Sequence, residues 1–225
     1  MDPRFADVTD WIFDLDNTLY PASTRLFDLI DERMGAYVQR LLDCDPAEAR
    51  RVQKDYFRAH GTTLAGLMAN HGVDPHHFLD DVHAIPLDRI VPDDRLAEAL
   101  RRLPGRRFVF TNGNASYAER VLAAIGIGGV FHGLVDIHAC EYRPKPNAHG
   151  YALLVERFGI DPTRAVLVED MAKNLPPAKA MGMMTVWVNN GSEHGDHLAD
   201  PASIDLEVKD VADWLTQLLE EEYAD

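Results

Sequence analysis

Cysteine is scarce in this 225-residue chain: Cys44 and Cys140 are the two present, and they form no Cys-x-x-Cys pair. A disulfide framework and a zinc knuckle are thereby excluded, and both residues are expected to be reduced thiols in packed sites. Long apolar runs are also missing. No stretch approaches the roughly 18 residues of a membrane-spanning helix. Met1 to Asp7 lacks the apolar segment and cleavage site of a secretory signal, so the expectation is a soluble, cytoplasmic protein with no membrane partner. Positive charge is in deficit, with 22 Lys and Arg against 37 Asp and Glu, a formal −15. Such a field repels a phosphate backbone, so no nucleic acid polymer is expected as a partner. A small phosphate-bearing ligand would need positive charge supplied locally, by a metal or a few basic side chains.

What is present is 46% hydrophobic residues, enough for a sizeable core in one large domain or one domain carrying an insert. The rhythm of that apolar content changes along the chain. Val8 to Phe13 reads as a short buried strand ending at Asp14-Leu15-Asp16-Asn17-Thr18. A helical stretch follows. Apolar spacing predicts a helix from Ser23 to Leu42, and the cap-plus-proline pairs Asp45-Pro46 and Asp74-Pro75 open two more, with a short one from Thr63 between them. From Pro92 onward strands and helices alternate. Strands are expected at 108–110, 134–137, 165–168 and 185–188, with helices at 116–125, 147–158, near Ala178 and at 211–219. This alternation predicts an α/β fold with a doubly wound, Rossmann-like parallel sheet. Residues 1–20 and 92–225 would form the core, and 21–91 a helical cap inserted after the first strand.

In an open parallel sheet the ligand sits beyond the carboxyl ends of the strands, and here those ends are polar. The first carries Asp14 and Asp16, the next Thr111 and Asn112, and the strand ending at Val168 carries Glu169 and Asp170. Lys145 lies between the last two, in a loop fixed by Pro144 and Pro146. Carboxylates that converge without a cation raise one another's pKa, and an all-oxygen donor set points to a hard metal, naturally Mg2+. Asp14, Asp16 and Asp170 are the expected metal residues. With phosphate charge partly neutralised by metal and Lys145, Asp14 can attack phosphorus and become an aspartyl-phosphate. Asp16 can then serve as general acid to the leaving alkoxide and general base to water.

These motifs, in this order, resemble the haloacid dehalogenase superfamily: Phe13 to Leu19 the first motif, Thr111-Asn112 the second, Lys145 the third, Glu169-Asp170 the fourth. The resemblance implies that Asp14 is the nucleophile and that Asp16 is the acid/base and holds metal through its carbonyl. Thr111, with Asn112 beside it, would bind substrate phosphate, and Lys145 would steady the nucleophile. Asp170 would be the direct metal ligand, with Glu169 acting through water. Asn174 stands where many relatives keep a second Asp. Within the superfamily the chain is most similar to the pyrimidine 5′-nucleotidase branch, on FDLDNTLY at 13–20, GTTLAGL at 61–67, Val82-His83, Ile85-Pro86-Leu87, FTNG at 110–113 and Tyr142 with Pro144-Lys145-Pro146.

The expected substrate is therefore a small-molecule phosphate ester, in particular a pyrimidine nucleoside 5′-monophosphate. Tyr56, His60, Thr62 and Thr63 are the residues expected to line the cap's substrate face. Three other readings are compatible with the same groups: a sugar-phosphate phosphomutase or other small-metabolite phosphatase, a dehalogenase, and a binding protein that has lost its chemistry. Asp16 and the Glu169-Asp170 pair disfavour the dehalogenase, which needs neither metal nor an acid for an alkoxide. Histidines are numerous, but no His-Glu-x-x-His occurs, so no zinc site is expected. Trp11, Trp187 and Trp214 read as core. No motif specifies an oligomeric state.

Overall fold

The structure, a computed structural model, describes residues 2–220. The chain enters through β1 (Asp10–Phe13), then runs through four helices, α1 (Leu26–Leu42), α2 (Pro46–His60), α3 (Thr63–His71) and α4 (Pro75–Val82). A fifth, α5 (Asp94–Arg102), leads to β2 (Arg106–Phe110), α6 (Ala115–Ile125) and β3 (Gly133–Val135). The rest is α7 (Ala148–Phe158), β4 (Ala165–Glu169), α8 (Leu175–Ala180), β5 (Met184–Val188), β6 (Leu206–Val208) and α9 (Val211–Glu220).

The strands form one parallel sheet in the order β3-β2-β1-β4-β5-β6, so the fold is the expected doubly wound α/β arrangement. The chain fills one side of β1 first and then crosses to the other. The switch point lies between β1 and β4, where open sheets of this kind place their ligands.

Both faces of the sheet are buried. Trp11, Phe13, Val109, Val166 and Val168 point into one apolar cluster, while the alternate residues Ile12, Phe108, Phe110 and Leu167 point into another, as the two-residue period of a strand requires. The first cluster continues into the four-helix segment through Leu26, Ile30, Val38 and Phe78. Trp11 and Trp214 meet there at 6.3 Å. Neither cysteine is paired, and burial pushes the Cys140 thiol up to about 11.

The local signals act as the sequence suggests at α2 and α4: Asp45 accepts from Glu48 N and Asp74 from His76 N, each before a first-turn proline. Several boundaries differ. β1 starts at Asp10 instead of Val8, with Asp10 held by the Arg106 guanidinium of β2 at 2.7 Å. The helix expected from Ser23 is split, because Arg25 takes a left-handed φ of 53° between a 3-10 turn at Ala22–Thr24 and α1. Asp136 leaves β3 early, accepting from Ala115 N and Ala139 N. β6 is an additional edge strand, three residues long, too short to show a period. None of the helices among the described residues is long and apolar enough to cross a membrane.

Candidate active site

The polar ends of β1, β2 and β4 are drawn together by one ammonium group. Lys145 Nζ donates to Asp14 Oδ1 at 2.6 Å, to Phe110 O at 2.9 Å and to Glu169 Oε2 at 2.6 Å. An ammonium has three donors, and here each goes to the end of a different strand. The lysine loop is positioned in turn by Asn112, whose Oδ1 accepts from Lys145 N at 2.8 Å. The turn after β1 is sharp: Asn17 is left-handed at φ 57°, and Leu19 N bonds back to Leu15 O at 3.0 Å. That return brings Thr18 Oγ1 to 3.3 Å from Asp14 Oδ2.

Asp14, Glu169 and Asp170 are all buried and present oxygens within 4.8 Å of one another. Their electrostatics call for positive charge. Burial, then Glu169, raise the Asp14 carboxyl to about 7 against the pull of Lys145. Asp170 is pushed well above the carboxylate range by burial and by its two acidic neighbours. Burial alone would lower Lys145, but Asp14 and Glu169 overturn it and hold the ammonium charged. A single lysine thus faces three carboxylates, and the all-oxygen donor set fits a hard divalent cation. A further acceptor stands one turn on: Asn174 Oδ1 is buried and has no hydrogen-bond partner among the described residues. Trp187, expected as packing, also donates its indole N–H to Asp170 O at 2.9 Å and so fixes the backbone of this loop.

Asp16 is held differently. Its Oδ1 accepts from two phenols, Tyr20 and Tyr117, each at 2.7 Å. Burial raises the Asp16 carboxyl, and the two hydroxyls draw it part of the way back. The Tyr117 ring is covered by His83, stacked at 4.3 Å and 8°, whose Nδ1 meets Asn114 Oδ1 at 3.1 Å.

A cavity of about 430 Å³ opens between this cluster and the four-helix segment. Asp14, Asp16, Asn112, Lys145, Glu169 and Asp170 line it, facing an apolar wall of Ile30, Met34, Leu64, Phe78 and Leu79.

A family profile for haloacid dehalogenase-like hydrolases matches residues 12–182, which runs from within β1 through α8 and includes the carboxylates, Lys145 and both phenols on Asp16. The chain belongs to the haloacid dehalogenase-like hydrolases. Among its relatives is phosphate metabolism protein 8 of Saccharomyces cerevisiae, 28% identical over 77% of this chain; the match spans 59% of that protein, so this chain is the shorter of the two. Others are glyceraldehyde 3-phosphate phosphatase of Methanopyrus kandleri, 26% identical over 80% of this chain and 83% of that one, and fructose-1-phosphate phosphatase YqaB of Escherichia coli, 25% identical over 79% and 94%. A haloacid dehalogenase-like phosphatase from Thermococcus onnurineus shares the fold with a TM-score of 0.62 at 19% identity, over 97% of this chain and 99% of that one. The L-2-haloacid dehalogenase of Xanthobacter autotrophicus does so at 0.57 and 18%, over 94% and 98%.

Not every residue expected at the site of this hydrolase reaches it. Thr111 is buried outside the cavity lining, its Oγ1 accepting from Gly113 N at 2.9 Å. Thr62 and Thr63 line the cavity, although Thr62 also caps α3 and Thr63 donates to Gln53 O. Tyr56 and His60 are not among the residues that line it. Their rings meet edge to face at 5.9 Å, and Tyr56 bonds His71 on α3. One residue along a helix is a rotation of about 100°, so the α2 face on the cavity is instead Gln53, Lys54 and Phe57. The sequence also did not single out Tyr20 and Tyr117; the partner of Tyr117 lies on another element. For Tyr20 a local signal existed, since it sits four residues after Asp16.

Proposed function

We propose that this hydrolase is a Mg2+-dependent phosphomonoesterase acting through an aspartyl-phosphate on Asp14, with nucleoside 5′-monophosphates, pyrimidine ones in particular, as substrates. The observation that carries the reading is the Lys145 ammonium shared between Asp14 and Glu169, with Asp170 beside them in a cluster that needs a cation. Asp14, Asp170 and the Asp16 carbonyl would hold Mg2+, with Glu169 and Asn174 reaching it through water; when bound, the ion shields the repulsion between carboxylates and phosphate. Lys145 keeps Asp14 oriented and charged. Asp14 Oδ2, with one long hydrogen bond, is the oxygen free to attack phosphorus as the bond to the leaving oxygen breaks. Asp16 gives a proton to that oxygen, then takes one from the water whose oxygen displaces Asp14 from phosphorus. The phenols of Tyr20 and Tyr117 fix one Asp16 oxygen and leave the other for this exchange. In this reading residues 21–91 act as a cap over residues 1–20 and 92–225, and Asn112 takes the phosphate while Thr111, accepting from Gly113 N, holds the turn behind it.

The names of two relatives, acting on fructose 1-phosphate and glyceraldehyde 3-phosphate, support the phosphomonoester class and favour a sugar phosphate as the second reading. A phosphate-release screen over nucleotides and sugar phosphates tests both. The expected result is release from pyrimidine nucleotides that stops with EDTA; halide release from haloacids in the presence of chelator would overturn it.

A further inference from the structure

Seven carboxylates line the cavity, Asp14, Asp16, Asp28, Asp31, Glu169, Asp170 and Glu193, so each cation there is expected to have a partner. Three of the four lysines and arginines do. Lys145 pairs with Asp14 and Glu169, Lys54 with Asp31 at 3.0 Å, and Arg25 with Asp28 at 2.6 Å. Lys173 forms no ion pair and no hydrogen bond among the described residues. Its ammonium is instead held 4.2 Å over the centre of the Phe57 ring, which also stacks with His194 at 6.1 Å.

The placement matters because of what Lys173 connects. It lies three residues after Asp170, at the edge of the carboxylate cluster, while Phe57 belongs to α2 and faces the cavity. A phosphate ester seated on Asp14 would extend its leaving group into the cavity that this ammonium also lines. The ring fixes the cation by its quadrupole, which leaves the N–H donors available to a ligand. A second anionic group would enter a cavity whose seven carboxylates outnumber its four lysines and arginines and be repelled. A neutral oxygen acceptor would not. The apolar wall of Ile30, Met34, Leu64, Phe78 and Leu79 suits a flat ring.

We infer that Lys173 is the specificity-determining residue of the site, donating a hydrogen bond to a ring carbonyl oxygen of a planar leaving group. This rests on the nucleotide reading above and sharpens it. Uracil and cytosine both carry the C2 carbonyl, whereas adenine has none, and ribose 5-phosphate lacks the ring altogether. Discrimination for a base with a ring carbonyl, against adenine and against a leaving group that has no base, would then come from one donor at the base of the fourth-motif loop and not from the four-helix segment alone.

The test compares kcat/KM for uridine 5′-monophosphate with that for ribose 5-phosphate in the wild type, Lys173→Met and Lys173→Arg. The ratio is expected to favour the nucleotide in the wild type and to fall about tenfold or more in Lys173→Met, the worth of one hydrogen bond to a charged group. Lys173→Arg, which keeps a charged donor over the ring, is expected to retain most of the ratio. Phe57→Leu removes the ring and leaves the charge; it is expected to raise KM for the nucleotide more than for ribose 5-phosphate, and it serves if the methionine variant does not fold. A preference that persists unchanged in Lys173→Met and Phe57→Leu overturns the lysine's role and leaves the nucleotide reading standing. A wild type that turns over ribose 5-phosphate as well as the nucleotide overturns both.

Discussion

At the scale of single residues, the site is a problem of negative charge solved by one buried lysine. Asp14→Asn keeps an oxygen for Lys145 but has no carboxylate to attack phosphorus, and phosphate release is expected to fall more than about a thousandfold with the fold retained. Lys145→Met removes the counter-charge of two buried carboxylates. It is expected to lose about 3 kcal/mol or more in urea unfolding at neutral pH, besides losing activity. His83 gives a pH prediction whose sign is fixed. Burial lowers its pKa from 6.5 to about 4, so between those values the unfolded chain binds the proton and the folded one does not. Stability from this group is full above about pH 6.5 and falls as pH drops. From pH 7 to pH 5 the wild type should lose about 2 kcal/mol more than His83→Gln does. Equal losses would contradict the buried, neutral assignment. These examples also mark what the sequence can tell. Asp14, Asp170 and Lys145 were legible because a short apolar run that ends in acids, or a lysine between prolines, is a local pattern. The Tyr117 phenol on Asp16, the ring over Tyr117 and the pairing state of Lys173 depend on residues far apart in the chain, and no spacing reports them.

At the scale of elements, the strand ends were readable because both faces of the sheet are buried, so β1, β4 and β5 are apolar runs with abrupt polar ends. β6 was not, since an edge strand with its middle residue exposed shows no such contrast. The helices of the inserted segment were legible from their caps, but their rotation was not. That is why Tyr56 and His60 were expected in the cavity and instead pack toward α3. The packing of α2 on α3 is close at Gly66, where a Cβ would lie 2.4 Å from Tyr56 Cβ and Cγ. Gly66→Ala must push the two helices apart, and a loss of about 1–3 kcal/mol is expected from overpacking despite alanine's better helix propensity. Thermal unfolding that is unchanged or raised would show that the helices meet less tightly than described.

At the scale of the whole molecule, the acidic surface and the cation-demanding cluster belong to one balance. A protein with formal charge −15 attracts divalent cations in general, but a stoichiometric site between β1 and β4 makes a sharper claim. Saturating magnesium is expected to raise the melting temperature by about 5–10 °C, the effect of a ligand near a hundred times its Kd on a chain of this size. The rise should be lost in Asp170→Asn and kept in a variant of a surface acid such as Glu98→Gln. Beneath that balance lies the proposed covalent step. It is tested most directly by acid-quenching the enzyme during turnover, reducing with borohydride, which converts an aspartyl-phosphate to homoserine, and mapping the peptides by mass spectrometry. Homoserine at position 14 and nowhere else is the predicted result. An unmodified Asp14 while phosphate is being released, or homoserine at another aspartate, would contradict it.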